Sequence, residues 1–210
     1  MALADTYPNF EALQAVEQYD TDYSIIYGLR PSSVLFATPH GGGIETGASE
    51  LAIESAGENH SYYCFEGRKA SGNTTLHITS TNFDEPNLMR MIPKFDYVVT
   101  YHGYGDSAVA HTKIGGADNE LKERAKTALT NAGFSCEILP YTDPIAGVEP
   151  DNLVNKGRRG MGLQLELSTL MRTSLFDVNT AVGRRTTQNA TFKAYVKAIL
   201  SCIPYQSRGR

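Results

Sequence analysis

An imidazole and a carboxylate lie five positions apart in the segment His40-Gly41-Gly42-Gly43-Ile44-Glu45, which follows a short apolar run at residues 33–37. Glycine has no Cβ, so three glycines in succession let the backbone turn sharply and bring both side chains to one point. In α/β proteins, ligands bind at the carboxyl ends of strands. Imidazole nitrogen and carboxylate oxygen both bind Zn²⁺, and catalytic zinc commonly has three protein ligands and one open position. The segment therefore predicts two ligands of a metal site that needs a third.

His102 is the best candidate for that third ligand. It ends a second buried-strand pattern, residues 96–101, and is followed at once by Gly103. Neighbouring strand ends are roughly 5–10 Å apart, so imidazoles at two such ends can reach one ion. The alternative for either histidine alone is an ordinary polar residue at a strand end. Both histidines together with Glu45 favour the metal site.

Glu166 interrupts the apolar run Leu163-Gln164-Leu165-Glu166-Leu167 and should share a strand face with Gln164. An isolated acid in an apolar strand is costly to bury unless it is paired or bound. Burial would raise its pKa toward the range useful to a general base acting on water. The alternative is an edge strand with one solvated face.

These residues require a framework of strands and helices. With 210 residues, of which 41% are hydrophobic, the chain can bury one sizeable core, and we expect a single domain over residues 1–210. Strand patterns alternate with helix patterns, including a long helix capped by Asp118, which predicts an α/β sandwich with a mixed sheet flanked by helices. Residues 74–79 are rich in β-forming types, and the loop at 140–162 is long enough to suggest a functional role.

Composition excludes several classes of protein. A net charge of −4 and a pI near 5.7 argue against nucleic-acid binding. No apolar run approaches 18 residues, so no membrane span is expected. The N-terminus lacks the pattern of a secretory signal, which predicts synthesis in the cytoplasm. Three widely spaced cysteines indicate reduced, mostly buried thiols rather than a disulfide framework.

A set of ordered motifs resembles the phage-type poly-γ-glutamate hydrolases. The motifs are residues 39–45, 76–80, 83–86, 102–104 and 162–168, and the likeness runs from about Thr6 to the final helix. The resemblance implies a fold similar to carboxypeptidase A-type zinc peptidases, with an open α/β core around a mixed sheet. It implies hydrolysis of the γ-amide bonds of poly-γ-glutamate, a bacterial capsule polymer, by a protein that host lysis would release. It also implies His40, Glu45 and His102 as zinc ligands, and Glu166 as general base.

The substrate would carry one carboxylate per residue, so cationic partners are needed. The stretch from Asn155 to Arg185, both included, contains six basic residues against two acidic ones. Carboxypeptidase-like sites bind a substrate carboxylate with an Asn-Arg pair, and the corresponding place here is Asn155-Lys156. Lysine offers a point charge instead of a bidentate fork, so Arg158 or Arg159 could compensate. His77 is a further candidate for contact with substrate, or for support of the metal site.

Two other functions are compatible with the same residues. A zinc carboxypeptidase or amino-acid deacylase acting on a small anionic amide would use the same metal site. A polyanion-binding protein without turnover would need only the cations. We expect a monomer in each case.

Overall fold

The computed structural model describes residues 5–204. They form seven strands: β1 (Tyr23–Gly28), β2 (Val34–Gly42), β3 (Ser61–Gly67), β4 (Tyr97–Tyr104), β5 (Thr112–Gly115), β6 (Cys136–Ile138) and β7 (Leu163–Ser168). The α-helices are α1 (Phe10–Gln14), α2 (Ala48–Ala56), α3 (Pro86–Met91), α4 (Asn119–Asn131), α5 (Thr169–Ser174), α6 (Ala181–Thr186) and α7 (Ala190–Cys202).

All seven strands belong to one sheet in the order β1-β3-β2-β4-β7-β5-β6. The four central strands β3, β2, β4 and β7 are parallel, whereas β1 pairs antiparallel to β3 and β5 pairs antiparallel to β7. The predicted mixed sheet is therefore confirmed. Because β2, β4 and β7 are adjacent and parallel, their carboxyl ends lie together at one edge of the sheet.

A hydrophobic core lies on each face of the sheet. On one face, apolar side chains of β2, β4 and β7 pack against α2, α4, α5 and α7. On the other face, β2 and β3 pack against α1 and α3. In β7 all three leucines face the first core, so Gln164 and Glu166 share the opposite face, as the alternation predicts.

Most predicted elements are present, and one is wrong. Residues 74–79 form no strand: Asn73–Leu76 is a 3₁₀ turn closed by local bonds such as Thr75 N to Gly72 O at 3.1 Å, so its amides do not join the sheet. Asp118 caps α4 by accepting a hydrogen bond from the Leu121 amide. The three cysteines are free thiols, as expected. None of the helices within residues 5–204 is long and apolar enough to cross a membrane.

Candidate active site

Glu45 reaches His40 through a tight turn at the end of β2. The Glu45 amide donates to the His40 carbonyl at 2.8 Å, and the Ile44 amide donates to the Gly41 carbonyl at 3.2 Å. Gly42 has φ +63°, in the left-handed region that favours glycine. A Cβ at Gly42 would lie 2.5 Å from the carbonyl oxygen of Gly67 on β3. The glycines thus allow the chain to reverse against its neighbouring strand.

A bulge in β2 turns His40 toward the site. Thr38 pairs with Cys64 and Gly41 pairs with Glu66, so three steps along β2 match two along β3. An extra residue in one strand reverses the alternation of side chains beyond it. Strict alternation would have placed His40 on the side of α2. The bulge instead lets it face the same side of the sheet as His102.

Three side chains with potential ligand atoms converge at this edge. The Nδ1 atoms of His40 and His102 are 3.1 Å apart. The Glu45 carboxylate lies 3.3 Å from His40 Nδ1 through Oε1 and 3.7 Å from His102 Nδ1 through Oε2. All three side chains are buried. The structure therefore brings together the residues that the sequence predicts as metal ligands.

Neighbouring groups orient these side chains and set their charge. His40 Nε2 donates to the Ile78 carbonyl at 2.8 Å, which directs Nδ1 toward the cluster. Burial lowers the pKa of His102 to about 3, with a further contribution from His40, so this imidazole is neutral. Burial alone would raise the pKa of Glu45, but the adjacent His40 brings it down to about 2, so the carboxylate is ionised. Burial would lower the pKa of His40, but Glu45 raises it, so metal binding would displace a proton from that ring.

His77 lies close enough to be considered as another ligand. It is buried, and His40, Glu45 and His77 form a group of three potential ligands whose ligand atoms lie within 4.8 Å of one another. However, the His77 ring stacks on His40 with centroids 4.0 Å apart and planes inclined by only 28°. The lone pair of an imidazole nitrogen lies in the ring plane. The nearly parallel rings of His40 and His77 therefore direct their lone pairs alongside each other and not toward one ion. The His40 and His102 planes are inclined by 71°, which suits convergence on one ion.

The remaining contacts of His77 favour a supporting position. Its Nδ1 lies 2.8 Å from Asp5 Oδ1, and Asp5 Oδ2 accepts a hydrogen bond from the Thr79 amide at 2.8 Å. Asp5 therefore fixes the ring against His40.

Glu166 lies beside the ligand cluster on the adjacent strand. It is in register with His102, so both side chains project from the same face of the sheet. Burial, together with the charge of Glu45, raises the pKa of Glu166 well above its usual value. Its Oε1 accepts a hydrogen bond from Gln164 Nε2 at 3.0 Å.

Arg172 is a neighbour of the site that the sequence did not single out, although it lies in the basic stretch. Its Nε donates to the Leu167 carbonyl at 3.2 Å and its Nη1 to the Thr46 carbonyl at 3.0 Å. A Cβ at Gly103 would lie 2.3 Å from that Nε, so the glycine after His102 makes room for the guanidinium. Arg172 thus ties the residue after Glu45 to the end of β7.

The other predicted substrate-binding residues do not join this cluster. Asn155 is buried, and its side-chain amide hydrogen-bonds to backbone groups. Its Nδ2 donates to the Gly147 and Glu149 carbonyls at 2.9 Å each. Arg158 pairs with Asp96 at 2.8 Å, just before β4 begins.

Arg159 pairs with Asp118, the cap of α4, at 2.6 Å, and lies over the ring of Tyr97, the first residue of β4. Lys156 ends the 3₁₀ turn Leu153–Lys156 and is partly buried. The two arginines thus lie toward the amino end of β4, whereas His102 lies near its carboxyl end. Substrate binding by these residues has no support in this geometry.

Known proteins are similar to this chain over nearly its whole length. The family model described as poly-gamma-glutamate hydrolase matches residues 7–198. The SPbeta prophage-derived protein YoqZ of Bacillus subtilis strain 168 is 42% identical over 200 residues, which cover 95% of this chain and 72% of YoqZ. A solved bacteriophage poly-gamma-glutamate hydrolase has a TM-score of 0.88 at 37% identity, covering 95% of this chain and 96% of its own.

A second solved structure, zinc-free apo YndL, has a TM-score of 0.89 at 39% identity and covers 93% of this chain and 95% of its own. YndL, like YoqZ, is a protein of Bacillus subtilis strain 168. The match of the family model across nearly the whole chain, together with relatives of about 40% identity, leads to one conclusion: this chain belongs to the poly-gamma-glutamate hydrolase family.

Proposed function

We propose that this protein is a zinc-dependent hydrolase that cleaves the γ-amide bonds of poly-γ-glutamate. His40, Glu45 and His102 hold the ion, and Glu166 is the general base. The observation that carries the proposal is the convergence of three buried side chains, with contacts of 3.1–3.7 Å between the two Nδ1 atoms and the Glu45 carboxylate, beside a buried carboxyl group on the next strand.

The donor set fits zinc. In a tetrahedral site with bonds of about 2.0–2.1 Å, ligand atoms lie about 3.3 Å from one another. His40 Nδ1 lies 3.1 Å from His102 Nδ1 and 3.3 Å from Glu45 Oε1, and both separations are close to this spacing. Two imidazoles and a carboxylate leave one position of a tetrahedron open, as in catalytic zinc sites. Zinc held there would polarise the scissile carbonyl and lower the pKa of the attacking water.

Glu166 has the properties of a group that takes up and returns a proton. Its side chain is largely shielded from solvent and lies on the strand next to His102. Burial, together with the charge of Glu45, raises the pKa of Glu166 well above its usual value, which strengthens this carboxylate as a base. Glu166 can therefore accept a proton from water and deliver it to the amide nitrogen that leaves.

Poly-γ-glutamate is proposed as the substrate because of the family to which the chain belongs, and not because of a binding groove. The bacteriophage relative is a poly-gamma-glutamate hydrolase, and the similarity extends over nearly the full length of both chains. Because poly-γ-glutamate forms the capsule of some bacteria, we expect the protein to meet its substrate after release by host lysis.

The proposal is tested by incubating the protein with poly-γ-glutamate and following polymer size. We expect depolymerisation to stop in protein stripped of metal by a chelator, and to return on addition of Zn²⁺. Glu166→Gln should retain zinc, measured by atomic emission, and lose about 100-fold or more in rate. Glu137→Gln, which changes an exposed carboxylate on β6, is the matched control. Full activity in verified metal-free protein would refute the zinc dependence.

A further inference from the structure

We infer that Gln164 is a positioning residue for Glu166, and that the long loop at residues 140–162 fixes the direction of the Gln164 amide. The inference rests on the proposed role of Glu166 as general base. The loop and the buried Gln164 amide would then both serve to orient the Glu166 carboxylate.

Three hydrogen bonds hold the side-chain amide of Gln164. Its Nε2 donates to the Ile145 carbonyl at 3.0 Å and to Glu166 Oε1 at 3.0 Å. Its Oε1 accepts from Asn152 Nδ2 at 3.2 Å. An inverted amide would face a carbonyl and a carboxylate with its oxygen and would lose all three bonds. Only one orientation is therefore compatible with these neighbours, and it aims an N–H at Glu166.

Asn152 is itself held in one orientation. Its Oδ1 accepts the Val154 amide at 3.0 Å, so its Nδ2 is the group left to face Gln164. Asn152, Gln164 and Glu166 are each at most 6% exposed. They form a relay of three buried side chains, in which each donates to the next.

The loop packs directly on this relay. Gly147 has φ +62°, and a Cβ there would lie 2.4 Å from Gln164 Oε1. Asn155 secures the same stretch by donating to the Gly147 and Glu149 carbonyls. The loop is thus held at two backbone positions, close against the Gln164 amide. This gives Asn155 a structural position beside the site rather than contact with substrate.

The consequence for Glu166 is a defined carboxylate orientation. The last side-chain torsion of glutamate is broad, so an unrestrained carboxylate samples many directions. Gln164 donates to Oε1, and no hydrogen bond within residues 5–204 reaches Oε2. Oε2 is therefore the oxygen available to water, and a general base must lie within hydrogen-bond reach of the proton it removes.

The first test compares Gln164→Met and Gln164→Glu with the unsubstituted enzyme on poly-γ-glutamate. Methionine keeps the length of the side chain without its donors, and glutamate keeps an acceptor for Asn152. We expect kcat to fall by about 10- to 100-fold in both, the range for a lost hydrogen bond to a charged group. KM should stay within about twofold and zinc content should be unchanged, since neither ligands nor substrate contacts are altered. A kcat within about twofold of normal in both variants would overturn the inference.

The second test separates positioning from a general structural defect. In a Glu166→Asp background the shorter carboxylate already withdraws from Gln164, so adding Gln164→Met should have little further effect on kcat. An equal fold-reduction in both backgrounds would show that Gln164 does not act through Glu166. Asn189→Ala, which removes the capping amide of α7, is the control for lost stability: its melting temperature should fall while kcat and KM persist.

The inference and the proposed function fail in different ways. Near-normal turnover by Glu166→Gln would remove the general base and with it the proposed function. Loss of turnover in Glu166→Gln, together with normal kcat in both Gln164 variants, would leave the proposed function intact and reject the positioning role.

Discussion

At the scale of single residues, side-chain type and local spacing identified residues that the structure places close together. His40, Glu45 and His102 were identified from strand ends and glycine turns, and Glu166 from its place in an apolar strand; the structure brings them together. Arg172 was not identified, because it reaches the site from α5, a helix that the sequence pattern did not reveal. Long side chains act several residues away from their own backbone, which sequence position alone does not show.

The substitution Arg172→Lys tests whether Arg172 stabilises the turn that carries Glu45. Lysine keeps the charge but not the fork that reaches both Leu167 and Thr46. We expect unfolding free energy to fall by about 1–3 kcal/mol, and zinc affinity to weaken because Thr46 follows Glu45. Urea denaturation and zinc titration measure the two effects.

Arg158→Lys is the matched control for that substitution. Arg158 is exposed and pairs with Asp96 at the protein surface, so its replacement should change stability by no more than about 0.5 kcal/mol. Similar small changes for both arginines would contradict the assigned role of Arg172.

At the scale of elements, the sequence pattern predicted the strand β2 but not the structure of its end. The apolar run predicted a strand over residues 33–37, whereas β2 continues to Gly42 and carries a bulge. A bulge depends on pairing with the neighbouring strand, so the sequence of one strand does not reveal it. The glycines indicated a turn, but they did not indicate which face His40 would adopt.

Gly42→Ala tests the requirement for glycine at this turn. The left-handed φ costs about 1–2 kcal/mol for a residue with a Cβ. The clash with the Gly67 carbonyl at 2.5 Å adds about 1–3 kcal/mol more. We also expect lower zinc content, because the turn places Glu45. Denaturation curves and atomic emission on the purified variant provide the measurements.

Gly72→Ala separates backbone strain from the clash. Gly72 has φ +73°, but a Cβ there would meet nothing within 4 Å. Substitution of Gly72 should therefore lower the free energy of unfolding only by the cost of the left-handed φ, about 1–2 kcal/mol, and leave the zinc content normal. Equal losses of stability at the two positions would count against close packing of the turn on β3.

At the scale of the whole molecule, the alternation of strands and helices predicted the class of fold, but not the order of strands. The order β3-β2-β4-β7 brings together strands that are distant in the sequence, and hydrophobic patterns do not encode which strands are neighbours. The same limit applies to the position of Arg158 and Arg159, which the sequence offered as substrate-binding residues. They lie a few residues before β7, near its amino end, whereas the candidate site is at the carboxyl ends of the central strands.

The central claim is that the sheet edge holds one zinc ion between His40, Glu45 and His102. Anomalous scattering at the zinc absorption edge, from crystals of the zinc-loaded protein, locates that ion directly. We predict one peak at about 2.0–2.2 Å from both Nδ1 atoms and from a Glu45 carboxylate oxygen. A peak bonded to His77 in place of His102, or one away from all three residues, would contradict the account.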